Sequence, residues 1–396
     1  MRLAYVTATD FIVRSAYQMG KSPLLPVFAA ALGAGGTYLG LIVAVSTVTG
    51  IVLKPLVGAL ADRWGVGVWL WGGAALFAGV PFLYGLVETA GQLFAVRLAH
   101  GLATAIYGPV TLAFVAQLAA DKRAERLGWF GLGRSGGYIV GPAVAGWLLT
   151  TLQPVEVYTI IGLVSCLAFV PLALLGRLPR AGPPAHGFRD QLRASLRDGA
   201  RTGAVWLAGG LDGVAFVALY AVKAFLPIYA LASGSGIALV GLFFSVQEAV
   251  HLLARPLMGR IGDRVGYRTA IGSGMALMAA ALLVLTAAPP SWGLLALAAV
   301  LGAAQALVFP ATIALVAARI APGQVGAGMG LVGALKNTGK VVGPVVGGLL
   351  VQLLEFLWMV RVMALLLVAV ALLVGLGVRI VGAADTPRPG ESSRAP

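Results

Sequence analysis

Twelve apolar runs, each long enough for a helix to cross a bilayer, follow one another along this chain with mostly short polar gaps between them. They cover residues 6–31, 38–60, 67–87, 91–119, 126–150, 155–176, 203–231, 237–258, 268–288, 291–319, 325–352 and 357–379. A helix needs about 20 apolar residues to span the hydrocarbon. With 59% hydrophobic and 11% charged residues in 396, against roughly 25% charge in soluble domains, a water-soluble fold is excluded. The first run holds Asp10, Arg14 and Lys21, which the core of a cleaved signal peptide does not tolerate, so it reads as a mature helix.

Basic residues occupy alternate gaps. Arg63, then Lys122, Arg123 and Arg126, then Arg177 to Arg201, then Arg260 and Arg264, then Arg319 fill every second connection, and the intervening ones carry neither Lys nor Arg. Positively charged loops stay in the cytoplasm, so both termini are expected there and the number of spans is even. The excess of 28 basic over 14 acidic residues thus reflects topology and not nucleic-acid binding. Cys166 stands alone inside an apolar run, and His100, His186 and His251 are scattered. Neither a disulfide framework nor a metal site is expected, and no cofactor.

An internal repeat gives the organisation. Leu25-Pro26-Val27-Phe28-Ala29 recurs as Leu226-Pro227-Ile228-Tyr229-Ala230, Lys54-Pro55-Leu56 as Arg255-Pro256-Leu257, Asp62-Arg63 as Asp263-Arg264 and Pro109 as Pro310, all at an offset of 201; Gly141-Pro142 recurs as Gly343-Pro344 at 202. The chain is therefore expected to be all-α: twelve transmembrane helices in two parallel six-helix halves, residues 1–176 and 203–380. A basic cytoplasmic linker, 177–202, joins them, and a cytoplasmic tail, 381–396, follows. In the linker Arg189, Arg193 and Arg197 fall at helical spacing beside Asp190 and Asp198, suited to resting on acidic headgroups.

These motifs carry a family resemblance. Gly58-x-x-x-Asp62-Arg63-x-Gly65 and Gly259-x-x-x-Asp263-Arg264-x-Gly266 resemble the loop signature of the major facilitator superfamily, once in each half. Arg97-x-x-His100-Gly101 resembles its fourth-helix signature with His for Gln. Gly137-x-x-x-Gly141-Pro142-x-x-Ala145-Gly146 and Gly339-x-x-x-Gly343-Pro344-x-x-Gly347-Gly348 resemble the helix signature of its drug and metabolite antiporters. The resemblance implies transport by alternating access, tilted toward export. It also implies gating roles for Asp62, Arg63, Asp263 and Arg264, with Asp62 at the start of the eleventh helix and Asp263 at the start of the fifth. A carboxylate can accept bonds from the free N–H groups of a helix start. Glycines four apart let backbones approach and Pro bends a helix, which assigns Gly141, Pro142, Gly343 and Pro344 to gating and marks their two helices as those that pack across the interface between halves. Val66 and Gly67 replace the basic residues usual after the first loop signature, whereas Arg268 supplies one in the second.

Charges inside apolar runs are costly unless they face a cavity or a partner. Asp10, Arg14, Tyr17 and Lys21 share one face of the first run, and Asp212, Tyr220 and Lys223 share one of the seventh. Arg97, His100, Thr104 and Tyr107 form a stripe, as do Glu248, His251 and Arg255. Arg134 and Lys336 are repeat mates; Asn337 adjoins Lys336, and Lys340 lies one turn on, where two ammonium groups repel unless an anion or acidic side chain lies between them. Cations outnumber carboxylates at these depths, so the expected substrate carries a carboxylate, phosphate or sulfonate beside apolar parts matched by Phe216, Phe309 and the tyrosines. Glu248 is the first candidate for proton coupling, with His251 one turn away and Asp212 as runner-up. The reading is a monomeric secondary transporter in the cell membrane: a proton-coupled exporter of a small amphipathic anion or zwitterion, not an enzyme. An uptake symporter, an anion exchanger or a lipid flippase of the same fold is the alternative. A cysteine placed at Gly35 should react from outside intact cells with an impermeant thiol reagent, and one at Gly187 should not; reaction at 187 reverses the topology.

Overall fold

The computed structural model describes residues 1–118, 123–176, 202–287, 291–320 and 325–376. Among them the regular structure is helical: α1 (Arg2–Met19), α2 (Leu24–Ala31), α3 (Gly36–Trp64), α4 (Val66–Leu83), α5 (Ala90–Leu118), α6 (Arg123–Leu148), α7 (Pro154–Cys166), α8 (Phe169–Ala173), α9 (Gly203–Ala232), α10 (Ile237–Val265), α11 (Tyr267–Leu285), α12 (Ser291–Ala317) and α13 (Val325–Gly375). Nine stretches among the described residues are long and apolar enough to cross a membrane. The chain is a multi-pass helical membrane protein.

Some of the runs fold differently from the expectation. The first is not one helix: α1 stops at Met19 and α2 starts at Leu24. Pro23 supplies no N–H and disfavours helical geometry in the residue before it. Lys21 consequently sits in the break and not on the face of α1. The last two runs are continuous in α13 except at Glu355, whose φ of 69° and ψ of 170° interrupt it. Residues 177–201 and 377–396, where the basic linker and the tail are expected, lie outside the described residues.

Because α1 and α2 carry the chain across and α3 returns, Gly36 lies at the end of the bundle remote from Met1. There helices from the two ends of the chain meet backbone to backbone. A Cβ on Gly36 would strike the Gly348 carbonyl, one on Gly40 the Pro344 carbonyl, and one on Gly241 the Pro142 carbonyl, with Gly146 packed against Gly241. The Thr37 hydroxyl donates to Gln352 Oε1 at 3.0 Å, and the Ala143 N–H donates to Ser245 Oγ at 2.9 Å. These contacts join α3 to α13 and α6 to α10.

The two helices that carry the Gly-Pro motifs pack across the halves as expected, and their glycine pairs add a second seam. Gly137 and Gly141 pack α6 onto α1, against Arg14, Ser15, Gln18 and Met19; Gly339 and Gly343 pack α13 onto α9, against Gly213 and Val217. Both seams are local. The contact with the opposite part of the chain is made by the next residue, Pro142 or Pro344, and by Gly146 or Gly348, because one residue turns about 100° around a helix. Gly348→Val should overpack the remote contact, at about 1 to 3 kcal/mol, and lower the melting temperature in detergent. Gly330→Val, where a side chain meets open space, should leave it unchanged.

Candidate functional site

On the near side of the remote contacts lies a cavity of about 460 Å³, within the usual range for small-molecule sites. Its walls come from α1 and the break after it (Arg14, Tyr17, Gln18, Lys21), α3 (Ser46, Thr47, Gly50, Lys54), α5 (Thr104, Gly108, Pro109, Leu112) and α6 (Arg134, Tyr138). Tyr220 of α9 and Asn337 and Lys340 of α13 face them. Five cations line it, and among the described lining residues there is no carboxylate.

Two of these cations are paired from behind. Asp10 is fully buried, and Arg134 donates to both of its oxygens, each at 2.9 Å, while a third bond of 2.9 Å runs from Arg134 to Thr111 Oγ1. Arg14 Nε stands 3.8 Å from the same carboxylate. Charge-assisted bidentate geometry of this kind is the strong form of the bond. Asp10 therefore faces α6 in the bundle interior. Lys21, Lys54 and Lys340 make no ion pair among the described residues.

The stripe on α5 divides. Thr104 reaches the cavity. Arg97, His100 and Tyr107 are wholly buried and line no part of it, contrary to the expectation for Arg97 and Tyr107. Tyr17 and Phe77 rings cover them, with Tyr17 5.1 Å from the His100 ring and Phe77 5.6 Å from that of Tyr107. Arg97 donates to Ser46 Oγ, and His100 Nδ1 shares a 3.0 Å bond with the Tyr84 hydroxyl.

Behind the cavity, Phe216 and Phe309 stack at 4.7 Å with planes 10° apart. Lys336 Nζ lies 4.7 Å from the Phe216 centroid and 5.0 Å from that of Phe309, and Lys340 Nζ lies 4.8 Å from Phe216. Ring faces hold the two ammonium groups, and Asp212 lies close enough to act on both. Lys336, Lys223 and Phe309 sit outside the cavity lining; Lys223 lies 5.4 Å from the Phe244 ring. Asp212, nearly buried, accepts from Thr312 Oγ1 at 2.9 Å.

On α10, His251 Nδ1 stands 3.5 Å from Glu248 Oε2, and Arg255 reaches His251 Nε2 at 3.3 Å. Arg255 has only donors, so this geometry assigns Nε2 as the acceptor and directs Nδ1–H at Glu248: a neutral ring bridges a cation and an anion. The His251 ring also meets the edge of Phe309 at 5.6 Å. The side chains of Asp62 and Arg63 lie outside the described residues. Asp263 and Arg264 are exposed and make no ion pair or hydrogen bond among the described residues; Asp263 borders a smaller cavity with Tyr267 and Pro310.

Sequence reasoning missed Lys54 and Tyr138. The signal for Lys54 was present: a cation inside an apolar run, and the repeat mate of Arg255. Tyr138 carries no such mark.

The Major Facilitator Superfamily model matches residues 11–246 and again 211–396. The chain belongs to this superfamily. It is therefore a membrane transporter and not an enzyme. Multidrug resistance protein MdtG of Enterobacter lignolyticus (strain SCF1) is 24% identical over 95% of this chain and 92% of its own. Multidrug resistance protein 1 of Bacillus subtilis (strain 168) is 32% identical, over 32% of this chain and 33% of that relative. Among solved structures, the nucleoside transporter NupG superposes with a TM-score of 0.78 at 15% identity, covering 95% of this chain and 98% of that one. A bacterial homologue of the human lysosomal transporter Spinster, facing inward and unoccupied, gives 0.75 at 16% identity, with 96% of each chain covered. The structural likenesses establish the fold. Asp10→Asn should cost about 3 to 5 kcal/mol of stability, as expected when one partner of a buried pair is removed, and adding Arg134→Gln should restore part of it in detergent unfolding.

Proposed function

We propose that the chain is a twelve-helix carrier of two six-helix halves, 1–176 and 203–380. It sits as a monomer in the cell membrane with both termini cytoplasmic, and exports a small amphipathic anion or zwitterion in exchange for protons. One observation carries this reading: a cation-lined cavity walled by both halves, shut at the remote end by backbone contacts between them. Such a cavity suits a substrate that enters from the near, cytoplasmic side. The multidrug names of the sequence relatives support export.

Glu248 takes the coupling role, with His251 as its first partner and Asp212 in reserve. Its route to the substrate runs from His251 to Phe309, on to Phe216 stacked against it, and so to the ammonium groups of Lys336 and Lys340. A proton arriving at Glu248 loosens the bridge to Arg255 and changes the field at those lysines. Asp62 and Asp263 are the gating carboxylates, expected to engage helix starts of the opposite half when the cytoplasmic side shuts. Asp263 makes no ion pair or hydrogen bond among the described residues.

The test uses inverted vesicles with an acid interior and a substrate chosen by thermal-shift screening of anionic and cationic amphiphiles, since ligand occupancy raises the melting point. Substrate should accumulate inside. Glu248→Gln should abolish the pH-driven component and leave counterflow exchange intact. Lys340→Ala should weaken binding itself by about 1 to 3 kcal/mol, the scale of a lost hydrogen bond to a charged group. A Glu248→Gln protein that still concentrates substrate with normal pH dependence shifts the coupling role to Asp212.

A further inference from the structure

Small-molecule pockets are lined mostly by hydrocarbon and aromatic side chains, with a few polar groups that orient the ligand. The cavity reverses that proportion. Among its described lining residues, Pro109 and Leu112 alone carry pure hydrocarbon side chains. Phe216 and Phe309, expected to match apolar parts of the cargo, are not on its walls: they stack on each other behind it, under the ammonium groups of Lys336 and Lys340.

Uncharged polar groups stand where hydrocarbon is usual. Gln18 of α1, Thr47 of α3, Tyr138 of α6, Tyr220 of α9 and Asn337 of α13 all line the cavity, and their side chains make no hydrogen bond among the described residues. The other hydroxyls are already engaged in the wall. Ser46 accepts from Arg97, and Thr104 Oγ1 donates to the Gly101 carbonyl at 2.8 Å. Gln18 is the most telling, since it is only 3% exposed and yet pairs with nothing around it. Its amide offers two N–H donors and an acceptor oxygen, and a buried polar group normally finds a partner. In the empty cavity water can serve these groups; cargo that displaces the water has to replace its bonds.

An apolar body cannot do so. It would leave each of these groups unpaired, and an unmade hydrogen bond to a buried group costs more than contact with one leucine and one proline returns. Sites built to bond a hydroxyl reject analogues that lack it for this reason. Resting on the carrier reading above and narrowing its cargo, we infer that the cavity recognises a hydroxyl-bearing organic anion: a sugar acid or a sugar phosphate. Lys21, Lys54 and Lys340 attract the anionic group. The amides of Gln18 and Asn337 and the hydroxyls of Thr47, Tyr138 and Tyr220 meet the hydroxyl edges. The cargo's amphipathic character is that of a sugar, whose C–H face lies on the apolar face of a tyrosine ring while its edges reach polar tips. Charge alone would admit a fatty acid of the same length; the uncharged lining excludes it.

Matched probes test this by isothermal titration calorimetry on the full chain in nanodiscs. Gluconate, hexanoate and sorbitol share a carbon skeleton and carry, in turn, hydroxyls with a carboxylate, the carboxylate alone and hydroxyls alone. Sorbitol phosphate and hexyl phosphate form the phosphate arm, and the arm that binds identifies the anionic group. The hydroxylated anion should bind at least about tenfold tighter than its hydroxyl-free counterpart, and sorbitol should bind more weakly than either hydroxylated anion. Gln18→Leu/Asn337→Leu, which removes hydrogen bonds and keeps side-chain size, should weaken the hydroxylated probe about tenfold or more and narrow its lead; Thr47→Val should do the same to a smaller extent. Lys54→Gln should instead weaken both members of a pair alike. Melting temperatures show which variants are folded. Equal or tighter binding of hexanoate and hexyl phosphate overturns the inference, as does an undiminished preference in the folded variants or the absence of binding by both hydroxylated anions. If an amphiphile from the thermal-shift screen is then still accumulated in the inverted-vesicle assay, the cargo class falls and the carrier reading stands. A calorimetric preference for hydroxylated anions with no pH-driven accumulation of them upholds the cargo class and removes the export reading.

Discussion

Backbone-to-backbone approach is the constraint on which this architecture rests. In lipid, apolar side chains gain nothing by leaving their surroundings for one another, so helices associate by fitting closely, and small residues set how closely. Four of the helix pairs that use that device frame the bundle. Gly137 and Gly141 seat α6 on α1, Gly339 and Gly343 seat α13 on α9, and the Gly36–Gly348 and Gly146–Gly241 contacts tie the two parts of the chain at the remote end. The first two seams bury their residues within one part of the chain. The last two are the contacts that any rearrangement of the parts must break.

Charge is distributed around that frame by what each side chain finds nearby. Arg134 finds Asp10 and is neutralised by it. Lys336 finds the stacked pair Phe216 and Phe309, which offers quadrupole faces but no negative charge. Arg97 finds Ser46 and the neighbouring Tyr84. The cavity is cationic because its buried carboxylate partner, Asp10, stands behind the wall and serves Arg134 and Arg14 together, while Lys21, Lys54 and Lys340 have no ion pair among the described residues.

Much of this was legible in the sequence, for definite reasons. Apolar runs and alternating basic gaps report on the lipid phase directly, and the family signatures fixed membership. The motif positions were right but their faces were not: spacing shows that Gly141 and Pro142 sit on one helix, and only the packed bundle shows that they look at different neighbours. Side-chain pairing was equally hidden. Asp10 with Arg134 spans 124 residues, and nothing local distinguishes it from Asp10 with Arg14. The break at Pro23 was visible as proline beside Gly20, yet hydropathy alone read through it. Arg97 and Tyr107 were misplaced because a polar stripe on a helix can face a polar interior as readily as a cavity.

The remote seam carries one more consequence. Gly36 stands against Gly348 and Gly40 against Pro344, an antiparallel register in which each step forward along α3 is matched by a step back along α13. Continued along both helices, that register sets Thr47 opposite Asn337 and Lys54 opposite Gly330. Thr47, Gly50, Lys54 and Asn337 border the cavity, and a side chain at Gly330 would meet only open space. The mouth of the cavity is thus a zip left undone below its fastened teeth: the surfaces that would shut it are already cut to the pattern of those holding the other end, and Lys54 would come to rest over Gly330, which has no side chain to obstruct it.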